Sequence, residues 1–132
     1  MVKTSNDLCI VGAGTVGLIL AKALSYLPLR FVLVDAKPTP QTQSNRSFVL
    51  SMASVRVLKT LGVWTQLEDQ AHPITQVTIR APQRPSVHLR HPEAVLGYVI
   101  QERELNQVLW AQLPNITCHL GVVPQRRTRQ QL

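Results

Sequence analysis

The chain has 132 residues, of which 45% are hydrophobic and 16% are charged. This length and composition are typical of a folded domain with a hydrophobic core, and they exclude an intrinsically disordered chain. The formal net charge is +7, but only 5% of the residues are aromatic. Because no aromatic platform accompanies the basic charge, nucleic-acid binding is disfavoured and the charge is interpreted as a solvated surface.

The first pattern along the chain is an apolar strand-like run, residues 8–11, that enters a glycine-rich turn. Gly12, Gly14 and Gly17 have the spacing G-x-G-x-x-G, and an apolar helical pattern follows them. The first glycine permits a tight turn, the second lets the backbone approach a pyrophosphate, and the third lets the helix pack on the strand. The helix N-terminus then offers N–H groups and a positive dipole end to phosphates.

A carboxylate completes this pattern. Asp35 ends a second apolar run, Phe31 to Val34, where an acid can accept hydrogen bonds from an adenosine ribose. The order of strand, turn, helix, strand and acid predicts dinucleotide binding more specifically than the glycines alone. The alternative is a glycine-rich turn in another βαβ unit, with Asp35 as an ordinary residue at a strand end.

The first helix is expected to run from Thr15 to Leu27, where Pro28 stops it. Its apolar stripe comprises Val16, Ile19, Leu20, Ala23, Leu24 and Leu27. After a loop at residues 36–45, a second helix is expected within residues 51–61, with Gly62 in the C-terminal capping position. Its inward positions are Val55, Leu58 and Leu61.

The middle of the chain alternates apolar and polar residues, as antiparallel strands do. The expected elements are a short helical turn at 63–70, strands at 74–80, 86–90 and 97–100, a helix at 103–113 and a strand at 115–123. This order predicts a parallel sheet with an antiparallel β-meander inserted at about residues 74–100.

Other side chains give weaker signals. Cys9 and Cys118 lie in apolar strand-like runs and are expected to be buried, reduced thiols. His88 and His91 should point to different faces of their strand, so no metal site is expected. The apolar stretch 8–24 is interrupted by glycines and a lysine, which argues against a transmembrane helix.

Four segments together carry a family resemblance. They are Ile10-Val11-Gly12-Ala13-Gly14-Thr15-Val16-Gly17-Leu18, Asn45-Arg46-Ser47 with Leu50-Ser51, Val57-Leu58-Lys59-Thr60-Leu61-Gly62-Val63-Trp64, and Leu96-Gly97-Tyr98-Val99-Ile100-Gln101-Glu102-Arg103-Glu104-Leu105. Over roughly residues 7–120 the chain resembles the N-terminal part of the FAD-dependent aromatic hydroxylases of the para-hydroxybenzoate hydroxylase superfamily. Within them it is most similar to the 2-polyprenylphenol hydroxylases of ubiquinone biosynthesis.

The resemblance implies an α/β, Rossmann-like, three-layer FAD-binding fold and a set of cofactor-binding positions. These are Gly12, Gly14, Thr15, Val16, Gly17, Asp35, Ala36, Arg46, Gln101 and Arg103. The guanidinium of Arg46 offers a planar fork of donors to phosphate oxygens, although a solvated loop arginine is the alternative. Arg103 matches a second flavin-contacting position; the nearby Gln101, or a plain surface charge at a helix start, is the alternative.

The implied reaction is hydroxylation of a small aromatic substrate, a prenylated phenol, with FAD as cofactor and NAD(P)H and O₂ as co-substrates. No catalytic side chain and no metal ligand are expected, because the flavin carries the chemistry. The resemblance also implies a cytoplasmic protein, peripheral at the inner membrane, within a ubiquinone-biosynthesis complex.

The family's later Gly-Ala-Asp-Gly and Gly-Asp-Ala motifs do not occur in these 132 residues. The chain is therefore expected to be a truncated N-terminal part: residues 1–123 of an FAD-binding domain, followed by a basic, disordered tail at 124–132. Either a second polypeptide completes an enzyme, or the chain is a non-catalytic dinucleotide-binding module or an inactive remnant. A generic NAD-binding domain is disfavoured by Arg46 and the Leu61-Gly62-x-Trp64 segment.

Overall fold

The computed structural model describes residues 5–125, so most of the tail expected at 124–132 lies outside the described residues. The strands are β1 (Leu8–Val11), β2 (Phe31–Asp35), β3 (Ser47–Ser51), β4 (His72–Ile74), β5 (Gln76–Ile79), β6 (Val87–Arg90), β7 (Gly97–Gln101) and β8 (Thr117–Leu120). The helices are α1 (Thr15–Leu24), α2 (Met52–Thr60) and α3 (Glu102–Gln112), with short 3₁₀ turns at Trp64–Gln66 and Glu68–Gln70. The chain divides into two compact units, the first comprising the residues up to Gln41 with those from Leu109 onward, and the second Thr42–Val108.

The first unit contains the expected parallel sheet, in the order β1-β2-β8. Leu8 is in register with Phe31, and Val32 is in register with Thr117. The middle strand β2 is apolar up to its last residue, Asp35, and its Leu33 is fully buried, as residues of parallel strands covered on their faces usually are. The strand expected at 115–123 is confirmed as the shorter β8.

Helix α1 ends at Leu24, three residues before the predicted end, and it buries a different face from the predicted stripe. Its buried residues are Leu18 and Ala21, whereas Val16 is 81% exposed. The reason is the close approach of Gly17 to the carbonyl group of Gly12, which places the Gly17 side of the helix against the preceding turn. Val16 lies two positions from Leu18 and therefore points away from the sheet.

The expectation that both cysteines are buried is wrong. Cys9 is exposed and Cys118 is half-buried, and both thiols are free. Neighbouring residues of a strand point to opposite faces, so the buried Ile10 of β1 faces away from Cys9. Val11, on the same face as Cys9, is 65% exposed, and this face of β1 therefore meets solvent.

The second unit contains the antiparallel strands. A three-stranded sheet has the order β3-β7-β4, and β5 and β6 form a separate two-stranded sheet. Helix α2 contacts β3 and β7, and it buries Val55 and Leu58 as predicted. Gly62 follows the helix with φ +70°, the left-handed conformation expected after a helix end.

The antiparallel part is more extensive than the sequence pattern indicates. It begins at β3, which was not predicted, and the single strand expected at 74–80 is in fact two strands. Ile74 ends β4, which pairs with β7, while β5 begins at Gln76 and pairs with β6. The strand expected at 97–100 and the helix expected at 103–113 are confirmed as β7 and α3, each to within one residue.

Candidate functional site

The glycine-rich turn between β1 and α1 has the geometry that its spacing predicts. Gly12 has φ +109°, and its N–H donates to the Val34 carbonyl at 2.8 Å, which ties the turn to the neighbouring strand. Gly14 is the N-cap of α1, with extended backbone and no side-chain hydrogen bond to the helix end. The N–H groups of a helix's first turn have no intrahelical acceptor, so this end of α1 is able to bind an anion.

Gly14 and Gly17 are glycines for two different reasons. A Cβ atom at Gly17 would overlap the carbonyl oxygen of Gly12 and lie 3.0 Å from its carbonyl carbon. Gly17 therefore lets α1 pack against the turn. A Cβ at Gly14 would meet nothing within 4 Å, so its side of the turn is open to a ligand.

The carboxylate of Asp35 connects the turn to the end of β2. One oxygen accepts the Ala13 N–H at 2.6 Å, and the other accepts the Lys37 N–H at 2.7 Å. These bonds, with Lys37 first, lower the pKa of the Asp35 carboxyl. An ionised carboxylate has about four lone-pair sites, so Asp35 retains acceptor capacity for ribose hydroxyls. Ala36, the next residue, is exposed.

In the second unit, Arg46 makes an ion pair that the sequence did not predict. Its Nε donates to Glu102 Oε2 at 2.8 Å, and its Nη2 donates to Glu102 Oε1 at 2.6 Å. The Glu102 carboxylate also accepts the Ser44 hydroxyl, and the Glu102 N–H donates to the Arg46 carbonyl at 2.9 Å. Hydrogen bonding to Glu102 raises the pKa of Arg46.

The other two candidates of this unit lie close by in the chain. Gln101 ends β7 in register with Ser47, the residue after Arg46, and it is half-buried. Arg103 lies in the first turn of α3 and is exposed. The structure thus groups the glycines, Asp35 and Ala36 in the first unit, and the remaining three candidates in the second.

Sequence reasoning missed Glu102 and Ser44. An acid in the first turn of a helix ordinarily complements the helix dipole, so the position of Glu102 gave no sign of its partner. Glu102 stands in the polar run Gln101-Glu102-Arg103-Glu104, so the sequence carried no signal that this carboxylate is buried and therefore requires hydrogen-bond donors. Glu102 is 4% exposed.

Within residues 5–125, no three His, Cys, Asp or Glu side chains are grouped so that they could hold a metal ion. None of the helices in this range is long and apolar enough to cross a membrane.

Comparison with known proteins places this geometry in a family. A family model described as "FAD binding domain" matches residues 5–130. Ubiquinone hydroxylase UbiL of Rhodospirillum rubrum is 28% identical over 129 residues, which cover 92% of this chain and 30% of that protein. The 3-demethoxyubiquinol 3-hydroxylase of Escherichia coli is 30% identical over 129 residues, which cover 89% of this chain and 33% of that protein. FAD-dependent monooxygenase subE of Metarhizium robertsii is 28% identical over 114 residues, which cover 82% of this chain and 35% of that protein.

Solved structures agree on the fold. The chain superposes on a mutant of 2-methyl-3-hydroxypyridine-5-carboxylic acid oxygenase with a TM-score of 0.73 at 16% identity, covering 89% of this chain and 32% of that one. For the tetracycline destructase Tet(51) the TM-score is 0.63 at 14% identity, and the superposition covers 88% of this chain and 30% of that one. The chain spans about a third of the length of the relatives it matches. It belongs to the FAD binding domain family, and FAD is the cofactor of that family.

Proposed function

We propose that this chain supplies the part of an FAD-dependent monooxygenase that binds the nucleotide portion of FAD. The observation that carries the proposal is the turn at Gly12–Gly17. At Gly14 this turn is open to a ligand and leads directly into the N-terminus of α1, and the chain belongs to the FAD binding domain family. Pyrophosphate at a helix N-terminus gains both N–H donors and a favourable dipole.

The residues of the turn fit the nucleotide of FAD. Because a Cβ at Gly14 would meet no protein atom within 4 Å, phosphate oxygens are able to approach the backbone there. Thr15 and Val16 open α1, in the first turn of a helix, where backbone N–H groups lack intrahelical acceptors and would donate to the same ligand. Asp35 and the following Ala36 would lie against the adenosine ribose, with the carboxylate accepting from a hydroxyl. When bound, the flavin supplies the redox and oxygen chemistry.

The finer proposal concerns the reaction. We infer hydroxylation of an aromatic ring, with NAD(P)H and O₂ as co-substrates, and a prenylated phenol of ubiquinone biosynthesis as substrate. The relatives named ubiquinone hydroxylase and 3-demethoxyubiquinol 3-hydroxylase support this choice, while the fungal FAD-dependent monooxygenases support only the broader class. A peripheral position at the inner membrane and a completing polypeptide belong to the same proposal.

The test is cofactor selection by the purified chain. FAD is titrated into the protein and its fluorescence is followed, with NAD⁺ as competitor at equal and higher concentrations. We expect saturable binding of FAD that NAD⁺ does not displace. Displacement of FAD by NAD⁺ at equal concentration would instead indicate an NAD-binding domain, and failure of the folded chain to bind FAD would contradict the proposal.

A further inference from the structure

Strands β5 and β6 form a two-stranded ribbon, residues 76–90, that has one apolar face. The register pairs Val77 with Leu89 and Ile79 with Val87, and side chains two positions apart on a strand point to the same face. These four residues are between 39% and 53% exposed. They therefore form one apolar patch that is open to solvent in the part of the chain that the structure describes.

The opposite face of the β5–β6 ribbon is polar. It carries the register pairs of Gln76 with Arg90 and of Thr78 with His88. The Gln76 side-chain amide donates to the Thr78 hydroxyl at 3.2 Å, and that hydroxyl lies 3.0 Å from Nδ1 of His88. The ribbon is thus amphipathic. Because an isolated two-stranded hairpin is only marginally stable in water, we expect its apolar face to be covered when the protein works.

The charge of the ribbon indicates what covers it. Arg80 directly follows β5, Arg84 lies in the turn between the strands, and Arg90 ends β6, so arginines lie at both ends of the apolar patch. All three are exposed, and none forms an ion pair within residues 5–125. No Asp or Glu occurs between residues 70 and 92. The missing negative charge must therefore come from the partner.

We propose that the β5–β6 ribbon lies on the surface of an anionic lipid bilayer, with its apolar face at the acyl boundary and its arginines at the lipid phosphates. A bilayer offers an apolar layer directly beneath a layer of negative charge, which is the arrangement that an amphipathic basic segment matches. Long arginine side chains reach such phosphates while their neighbours are buried. The inference rests on the proposed function in one respect, the peripheral membrane position, and it names the surface that provides it.

Charge attraction and apolar burial contribute separately to such binding, and salt distinguishes them. One arginine near an anionic surface raises affinity about fivefold at low salt. At about 1 M ionic strength the screening length falls to about 3 Å, so this contribution is largely lost. The burial of apolar side chains does not depend on charge and persists. Variants of the arginines and of the apolar patch should therefore respond differently to salt.

The experiment is co-sedimentation of the whole 132-residue chain with vesicles of equimolar phosphatidylglycerol and phosphatidylcholine, and with vesicles of phosphatidylcholine alone. We expect binding to the anionic vesicles. Arg80→Gln combined with Arg84→Gln should lower this affinity about 25-fold at low salt, and much less at about 1 M salt. The matched control is Arg56→Gln combined with Lys59→Gln, which removes the same charge from exposed positions of α2 and should lower affinity less than about threefold.

The apolar patch is tested by Ile79→Ser combined with Leu89→Ser. Both side chains are exposed, so circular dichroism should show an unchanged fold. Affinity for the anionic vesicles should fall about tenfold, both at low salt and at about 1 M salt, because two apolar side chains no longer leave water. Val49→Ser is the matched control, since Val49 is an exposed valine of β3 outside the ribbon, and it should leave vesicle binding unchanged.

The other results overturn the proposal. An equal loss of affinity in the two charge variants would show that the vesicles attract only the net charge of the chain. A folded chain that binds no vesicles, or a dimer in sedimentation velocity that the Ile79→Ser and Leu89→Ser chain cannot form, would show that lipid does not cover the patch. FAD titration of the same proteins keeps the proposed function separate: FAD binding without vesicle binding leaves the nucleotide site standing and removes only the membrane surface.

Discussion

The closest backbone approach around α1 gives the sharpest prediction, the substitution Gly17→Ala. The added Cβ would lie 3.0 Å from the carbonyl carbon of Gly12, closer still to its carbonyl oxygen, and 3.7 Å from Cγ2 of Ile10. Carbon atoms in contact are ordinarily about 3.5–4.0 Å apart. The obstacle is backbone that belongs to the turn, so α1 has to move away from it by about 1 Å or more.

The magnitude follows from two opposing effects. Inserting a methyl group into a packed site destabilises by about 1–3 kcal/mol, and a backbone obstacle favours the upper end. Replacing glycine by alanine inside a helix returns about 1 kcal/mol. We therefore expect a net loss of about 2 kcal/mol in the free energy of unfolding, a decrease in Tm of about 6–10 °C for a chain of this size.

The assay is thermal and urea unfolding followed by circular dichroism, combined with FAD titration. Gly14→Ala is the matched control, because its Cβ meets nothing within 4 Å. This variant should lose only about 0.5 kcal/mol of stability, through a poorer N-cap, yet it should bind FAD more weakly, since its methyl group occupies the side open to phosphate. A Gly17→Ala chain as stable as the unsubstituted one would refute the packing argument.

Three further predictions concern other parts of the chain. Asp35→Asn should lower the free energy of unfolding by about 1–2 kcal/mol at neutral pH. Because the pKa of Asp35 is lowered in the folded chain, this difference in stability should persist above about pH 4 and shrink as the pH falls through the folded pKa. A difference that does not change with pH in urea titrations would contradict this prediction. Gly97→Ala should destabilise the second unit, since its Cβ would overlap the carbonyl oxygen of Leu50; an unchanged urea midpoint would exclude this close approach. Cys9 is exposed, whereas burial raises the pKa of Cys118, so DTNB at about pH 8 should modify Cys9 first, and a Cys9→Ser chain that reacts equally fast would show the order to be wrong.

Features with a local cause were predictable from the sequence. The tight turn at Gly12 and the end of α2 at Gly62 both depend on a positive φ, which glycine alone adopts readily. The βαβ order and the β5–β6 pair follow from apolar periodicity between turn residues. The parallel sheet and the antiparallel strands were therefore expected, and the structure contains both.

Features that depend on tertiary contacts could not be predicted from the sequence. The buried face of α1 is set by the contact of Gly17 with the Gly12 carbonyl, which apolar periodicity does not reveal. Strand β3 was missed because it passes directly into α2 with no turn residue between them. Strand β4 is three residues long and contains Pro73, a residue that usually argues against a strand.

The site shows the same division. The glycines and Asp35 belong to one βαβ unit, and a single sequence motif, the G-x-G-x-x-G turn followed by an acid at the end of the next strand, predicted them together. The pair of Arg46 and Glu102 joins residues 56 positions apart, and a buried carboxylate gives no sequence signal of which arginine it will meet. The ion pair of Glu102 with Arg46 therefore became visible only in the structure, where strands β3 and β7 are paired.

The central claim is that the turn at Gly12–Gly17 binds the pyrophosphate of FAD. The most direct test is an NMR titration of the ¹⁵N-labelled chain with FAD, in which the backbone amide signals are followed residue by residue. We expect the largest shifts at the amides of Gly14, Thr15, Val16 and Gly17. Saturable FAD binding that leaves these amides unshifted, or no binding by the folded chain, would contradict it.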